Sequence, residues 1–318
     1  MNHSEPLPAV SIIIPCYNAQ AYVGEAIQSA LDQTYPNKEV IVIDDGSTDG
    51  SLEVIRSFGD RIRWETGPNR GGCAARNRGI ELARGELIQF LDADDLLHAD
   101  KLTKTVQVAE EQRVDSVLSD VLVVSETGHV TRWSPSCWDD PVVSALGAEV
   151  GTCGHLHRRA LLMRIGGFRK GLPCAQERDL HIRMACAGGT IGYLPEVLAT
   201  VRRQRGSVSA NSVRVLDQYA GIIQPAYESL LRASAMTERR ARAFAGFMAR
   251  AARGYLADNE PEKARVYFEM ARSLHPQGGL DEAYRGWSRF ACRWLGPVRT
   301  EAMLRVKRRI GDCVRKRR

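Results

Sequence analysis

Several features that would place this sequence quickly are missing from it. It has no run of 18 apolar residues, so nothing reads as a membrane-spanning helix. Its first residues, MNHSEPLPAV, carry no basic stretch followed by an apolar one, so no secretory signal is expected. Its eight cysteines (Cys16, Cys73, Cys137, Cys153, Cys174, Cys186, Cys292 and Cys313) include no C-x-x-C pair. That makes a zinc site unexpected, and with no secretory signal the thiols read as reduced in a cytoplasmic protein. No G-x-G-x-x-G follows the first apolar run; Pro15-Cys16-Tyr17-Asn18 stands there instead, which disfavours a dinucleotide-binding dehydrogenase.

What is present is ordinary in bulk and uneven in distribution. The 318 residues are 44% hydrophobic and 26% charged, as in a folded chain long enough for two domains. From Asn211 onward there are 22 Lys/Arg against 11 Asp/Glu, a net +11, which leaves −5 of the total +6 for the first 210 residues. An acidic front and a basic back point to two units, 1–210 and 211–318, with different partners.

The front half alternates strand and helix signals. Val10 to Pro15 is an apolar, β-branched run that reads as a buried strand. Tyr22 to Gln33 reads as a helix, Glu39 to Asp45 as a strand and Ser51 to Phe58 as a helix. A third strand is expected over Arg61 to Trp64, a helix over Ala74 to Ala83 and a strand over Glu86 to Leu91. Continuous apolar strands alternating with helices imply a mainly parallel sheet covered on both faces. Ligands bind such sheets outside the carboxyl ends of the strands. Further along, Val114 to Val124 reads as a strand, Ser134 to Ala148 as a long loop, and Arg158 to Ile165 and Asp179 to Ala187 as helices. Tyr193 to Pro195 and Val197 to Val201 read as extended. From Val213 the chain turns helical. Tyr255, Ala264, Phe268, Ala271 and Pro276 fall at the offsets of one tetratricopeptide helix pair, and a lone pair cannot bury its own faces.

Polar residues gather where three of the predicted strands end: Pro15-Cys16-Tyr17-Asn18, Asp44-Asp45-Gly46-Ser47 and Asp92-Ala93-Asp94-Asp95. Three carboxylates within four residues repel one another, so either water solvates a surface turn or a cation sits there. His155 and His157 alternate as strand residues do; the plainer reading is a structural or solvated pair, and neither is assigned to the site.

In order, Ser11 to Asn18, Asp44 to Asp49, Ala75-Arg76-Asn77-Arg78-Gly79 and Phe90 to Asp95 resemble the inverting family 2 glycosyltransferases of GT-A fold, over roughly residues 9 to 210. The resemblance implies an α/β fold of Rossmann-like type, a mixed and mainly parallel sheet with helices on both faces, followed here by an α-helical C-terminal region. It implies a sugar moved from a nucleotide-diphosphate donor to a hydroxyl acceptor, an envelope or polysaccharide glycan, with inversion. A divalent cation, Mn²⁺ or Mg²⁺, would stabilise the departing diphosphate. In the family the last Asp of the D-x-D motif holds the metal and the first reaches the donor ribose, which maps onto Asp94 and Asp92. Pro15, Tyr17, Asp45, Arg76, Asp92, Ala93, Asp94, Arg202 and Arg205 are the residues expected at the donor. Tyr17 could instead pack at a strand end, and Arg76 could be solvated. The base that takes the acceptor proton maps onto Glu177, with Asp179 as rival; the stretch Gln176-Glu177-Arg178-Asp179-Leu180 departs from the usual Asp. Gln204 stands where relatives have a metal-side His, so either Gln204 coordinates the cation or Arg202, Arg203 and Arg205 neutralise phosphate themselves.

The segment Val298 to Arg318 has nine Lys/Arg and two acids, with Met303, Val306, Ile310, Cys313 and Val314 able to share one helical face. That pattern predicts weak peripheral contact with anionic lipid at the inner face of the cell membrane, rather than nucleic-acid binding. The alternative function is a catalytically inactive GT-A scaffold acting through its helical end.

Overall fold

In the computed structural model the described residues are 7–135, 139–147, 151–203 and 212–276, together with 283, 284, 288, 296, 297, 299, 300, 303 and 304. The chain divides into two compact units, Met1–Val208 and Ser209–Arg318.

The first unit is built on one nine-stranded sheet. In chain order the strands are β1 (Val10–Cys16), β2 (Lys38–Asp44), β3 (Arg63–Thr66), β4 (Leu87–Phe90), β5 (Leu96–Leu97), β6 (Ser116–Val124), β7 (Val130–Trp133), β8 (His155–Arg158) and β9 (Ile191–Arg202). They lie in the order β3-β2-β1-β4-β8-β6-β9-β5, with β7 on β6. β1, β2, β3 and β4 run parallel; β8 runs antiparallel to both β4 and β6. The chain steps outward from β1 through β2 to β3, then returns to put β4 on the other side of β1. That reversal opens a crevice at the carboxyl ends of β1, β2 and β4.

The helices are α1 (Val23–Leu31), α2 (Ser51–Ser57), α3 (Gly72–Leu82), α4 (Lys101–Gln112), α5 (Pro141–Ala145), α6 (Arg159–Arg164) and α7 (Gln176–Cys186). Period-two alternation sorts the apolar strands between two cores. Ile12 and Ile14 pack with Val23, Ala26 and Ile27 of α1 and Leu102 and Val106 of α4 on one face. Ile13, Ile41, Ile88 and Phe90 pack with Ile80 of α3, Leu161 of α6 and Leu180 and Met184 of α7 on the other. Gly79 is what lets α3 lie so close: a Cβ there would come within 2.3 Å of Ile13 Cγ2.

Two local expectations are corrected, and one helix had not been expected. The stretch 134–148 is not a continuous loop: Pro141–Ala145 is helical, with Pro at its first turn and Asp140 Oδ1 accepting from the amides of Val142 and Val143 at 2.9 and 3.2 Å. α7 opens at Gln176, not Asp179, after Ala175 in the left-handed region (φ 57°). The helix expected over Arg158 to Ile165 is α6 (Arg159–Arg164), with Arg158 and Ile165 as its caps. α4 was not anticipated, because its buried stripe of Leu102, Val106 and Ala109 is interleaved with the equally buried Lys101 and Thr105.

In the second unit α8 (Ser212–Arg232), α9 (Glu238–Ala257) and α10 (Pro261–Leu274) pack together. Of the tetratricopeptide-like pattern, Tyr255, Ala264, Phe268 and Ala271 are buried and Pro276 is exposed. α8 supplies the third surface: Tyr255 donates to Asp217 Oδ1 at 2.6 Å and Tyr267 to Leu216 O at 2.7 Å. Most of 298–318 lies outside the described residues; of the tail's expected amphipathic face Met303 is described, 42% exposed, and Val306, Ile310, Cys313 and Val314 are not. Among the described residues no helix is long and apolar enough to cross a membrane.

Candidate functional site

The carboxyl ends of β1, β2 and β4 are tied together before any ligand is considered. Asn18, in the left-handed region (φ 48°), accepts on Oδ1 from the amide of Thr48 at 2.8 Å, and its own amide donates to Ser47 Oγ at 3.0 Å. Asp49 receives the amides of Gln20 and Ser51 at 3.1 and 3.0 Å. These bonds latch the loop after β1 onto the loop after β2. Asp45 is buried and accepts the amides of Arg70 and Gly71, both at 2.8 Å, fixing the turn that opens α3. Each of its oxygens keeps a further lone pair. Pro15 is half-buried, while Tyr17 stands 51% exposed at the edge and is not packed at the strand end.

Arg76 is the hub. It is 6% exposed, so it is not the solvated arginine its helix could have carried. Its Nη2 donates to Asp92 Oδ1 at 2.6 Å and lies 3.3 Å from Glu177 Oε1. Its Nη1 donates to Gln176 Oε1 at 2.8 Å, and its guanidinium lies 5.3 Å from the Phe168 ring centre. Burial alone would make Arg76 easier to deprotonate; the Asp92 and Glu177 carboxylates outweigh it and hold the charge more firmly. One buried cation therefore joins the end of β4 to the first turn of α7.

Asp92 also receives Thr152 Oγ1 at 3.4 Å. Ala93 is buried, Asp94 half-buried and Asp95 4% exposed. Burial first, then the neighbouring Asp92, raise the Asp94 carboxyl above its ordinary value; the same two causes, with Asp94 added, raise Asp95 well above it. Arg202 answers this charge from β9. Its amide donates to Asp95 Oδ1 at 2.9 Å, and its guanidinium donates to Asp94 O and to Glu25 while leaving Nη2 buried without a partner. Arg203 lies 5.0 Å over the Trp133 ring. Gln204 and Arg205 fall outside the described residues.

Glu177 and Asp179, two residues apart on α7, have different surroundings. The Asp179 side chain is fully buried and clamped between Arg183 at 2.7 Å and Arg169 at 2.8 Å. The Glu177 side chain keeps 22% exposure and faces Arg76. Gln176, Phe168 and Thr152 complete the edge and were not singled out in the sequence. Gln176 sits beside Glu177 in the same motif, whereas nothing local marks Phe168 or Thr152.

The resulting edge offers oxygen donors, a buried cation and an exposed aromatic ring. Carboxylates that resist ionisation beside one another are a donor set that a hard dication relieves. Among the described residues, however, the one group of three ligating side chains close enough to share a metal is His155, His157 and His181. The carboxylate edge thus suits an ion that takes one or two protein oxygens and fills its remaining positions with phosphate and water.

Residues 11–157 match the family model described as glycosyl transferase family 2. An uncharacterised glycosyltransferase of Rickettsia typhi is 30% identical over 228 residues, 68% of this chain and 70% of that protein. The chain spans only 41% and 31% of two further curated relatives. Among solved structures, TarS of S. aureus in complex with UDP-GlcNAc superposes with a TM-score of 0.56 at 18% identity, over 83% of this chain and 92% of that one. A mannosyltransferase of Pyrobaculum calidifontis in complex with GDP-Man and Mn²⁺ gives 0.55 at 21% identity, over 85% and 86%. These two likenesses show a shared GT-A fold.

Proposed function

We propose, for a chain that belongs to glycosyl transferase family 2, transfer of one sugar from a nucleotide-diphosphate donor to a hydroxyl of a glycan acceptor, with inversion at the anomeric carbon. The observation that carries the reading is the single guanidinium of Arg76 shared by Asp92 and Glu177. It sets a donor-side carboxylate and an acceptor-side carboxylate against one another across a few ångströms, as one direct displacement requires.

The roles follow from the surroundings. Glu177 takes the acceptor proton: it is on the first turn of α7, partly exposed and at the edge, whereas Asp179 is spent in its two ion pairs. Asp92 meets the donor ribose and Asp94 a divalent ion. Tyr17 lies against the nucleotide base, and Asp45 closes the base pocket with the oxygen lone pairs its backbone bonds leave over. Arg202 lies on the diphosphate side, where its buried, unpartnered Nη2 is available to an anion. Mn²⁺ or Mg²⁺, held by Asp94 with Gln204 as a second ligand, would supply Lewis-acid stabilisation of the leaving diphosphate. Arg205 shares the phosphate load in this reading. The acceptor is an envelope or polysaccharide glycan, and the basic 298–318 segment keeps the enzyme near an anionic membrane surface.

Titration calorimetry with UDP and GDP, each with and without Mn²⁺, tests the reading. One diphosphate should bind, at least about tenfold more tightly with Mn²⁺, and Asp94→Asn should abolish that gain. A folded chain that binds neither diphosphate would overturn it and favour an inactive scaffold.

A further inference from the structure

β8 crosses the sheet between β4 and β6, and its alternate residues His155 and His157 project from the same face. His181, on α7, comes to lie on them. The ring centres of His155 and His181 are 3.9 Å apart, those of His155 and His157 5.3 Å and those of His157 and His181 5.5 Å. All three are at least nine-tenths buried, at 6%, 1% and 9% exposure. Phe90 flanks the group, with its ring centre 6.0 Å from that of His157.

Three polar rings stacked against an apolar core need a reason, because buried ring nitrogens must find partners. Two have none: His155 Nδ1 and His157 Nε2 are buried without a hydrogen bond. The other nitrogen of His157, Nδ1, is engaged by Ser116 Oγ at 3.0 Å. One nitrogen from each ring lies within 4.8 Å of the other two. Burial first, then the neighbouring rings and Lys101, hold His155 and His157 far below their ordinary value; burial and Arg178 bring His181 down to about 3. The rings are therefore neutral at neutral pH, the form in which imidazole offers a lone pair.

We infer that His155, His157 and His181 form a metal site for a borderline divalent transition ion such as Zn²⁺, separate from the carboxylate edge at Asp92 and Asp94. Bare imidazole nitrogens select Zn²⁺, Co²⁺ or Ni²⁺ over the harder Mg²⁺ and Mn²⁺. The nearby cations sharpen that selection. Lys101, whose amine burial brings down to about 8, donates to Ser119 and Gly154 O, and Arg178 donates to the carbonyls of Ala145 and Gly147. With these two around it, the ion is held by bonds to nitrogen and not by net charge. Ser116 is the outer partner that fixes the His157 tautomer, as ligating histidines usually require. Three protein ligands leave one of zinc's four positions to a water. Glu177 and His181 are i and i+4 on α7, so the ion pins to β8 the helical face that carries Glu177.

The probe is Co²⁺, added to the untagged full-length chain after chelator treatment and read by its visible ligand-field bands. One Co²⁺ per chain with bands of tetrahedral intensity, displaced by Zn²⁺ and not by Mg²⁺, is the expected result. His157→Phe and His181→Phe should each weaken binding by more than the roughly 10–100-fold typical of losing an outer-shell partner, and Ser116→Ala by about tenfold. Asp94→Asn should leave the bands unchanged. No bands from the folded wild-type chain, bands that survive both histidine substitutions, or bands lost in Asp94→Asn would each overturn the inference. Should the histidine variants not fold, X-ray absorption of the Co²⁺-loaded wild-type chain decides it: a shell of imidazole nitrogens supports the site, and oxygen ligands alone exclude it.

Discussion

At the ends of β1, β2 and β4 the chain gathers carboxylates and sets Arg76 and Arg202 among them; on β8 and α7 it gathers imidazoles with Arg178 and Lys101 for neighbours. α7 serves both, with Glu177 on one group and His181 a turn further along. At the carboxylate edge a buried guanidinium lies among the carboxylates, and Arg76 is 6% exposed. Arg76 is held charged by Asp92 and Glu177, while Asp94 and Asp95 are pushed toward the neutral acid. Among the imidazoles burial is nearly complete and the protons are driven off. The same low dielectric thus gives one group suited to a hard cation and another that offers neutral nitrogen lone pairs. The contrast teaches that burial alone does not decide what a cluster of titratable groups does. What decides it is whether an opposite charge was buried with them.

The largest expected effect falls on the carboxylate side. Asp94→Asn keeps the side-chain shape and removes the charge that would meet the cation. Sugar transfer should fall roughly 10³-fold or more, about 4 kcal/mol of transition-state stabilisation, with the melting temperature unchanged. A variant that retained wild-type turnover would remove the cation from the carboxylate edge and leave the imidazoles as the candidate metal site among the described residues.

Glu177→Gln and Asp179→Asn divide catalysis from stability. Glu177→Gln should lower kcat by about 10²–10⁴-fold, as loss of a general base does, with little change in donor KM. Asp179→Asn should instead cost about 3 kcal/mol of stability in a denaturant melt, because it removes a buried carboxylate and leaves the two arginines that clamp it without their counter-charge. A reversal of the two outcomes would hand the proton to Asp179.

How much of this could be read in advance differs between the two clusters for a physical reason. The carboxylate edge was legible because its residues sit at strand ends within short motifs, so the alternation that identifies the sheet also delivers Asp45, Asp92 and Asp94 to one side. Arg76 was legible as a residue but not as a buried one, since Phe168 and Gln176 that enclose it come from about 90 to 100 positions away. The division of labour between Glu177 and Asp179 needed the positions of Arg169 and Arg183. The imidazole cluster was not legible at all. His155 and His157 could be seen to alternate, but His181 joins them only through the packing of α7 on β8. The α5 helix went unread for a simpler reason: five residues are too few to show a period.

On the imidazole side the next effect is a pH dependence. His181 has a folded value of about 3 against 6.5 for an exposed ring, depressed by burial and then by Arg178. Below about pH 6.5 the unfolded chain binds a proton that the folded chain refuses, so stability is lost as pH falls. Between pH 7 and pH 5 the loss from this one ring is about 2 kcal/mol. His181→Phe, with no proton to bind in either state, should flatten the acid limb of a metal-free stability profile by that amount. An unchanged limb would mean that His181 titrates as an exposed ring does, which would break the contrast drawn between the clusters.

The smallest expected effect tests how the carboxylate side is held in place. Gly79 lies one turn after Arg76 on α3, and a Cβ at Gly79 would press on Ile13 Cγ2 at 2.3 Å in the centre of β1. Gly79→Ala gains up to about 1 kcal/mol of helix propensity but overpacks a tight contact, which typically costs about 1–3 kcal/mol. The net should be a loss of about 1 kcal/mol in a denaturant melt, with α3 displaced from the sheet. Because α3 carries Arg76 to Asp92 and Glu177, turnover should fall with it, while Co²⁺ bound at the histidines on β8 and α7 is unaffected. Trimming the partner should relieve both losses: in an Ile13→Ala background, adding Gly79→Ala should cost nothing further, the non-additivity expected of two residues in direct contact. Additive losses would mean that α3 is not seated by this contact, and that Arg76 reaches its two carboxylates by some other constraint.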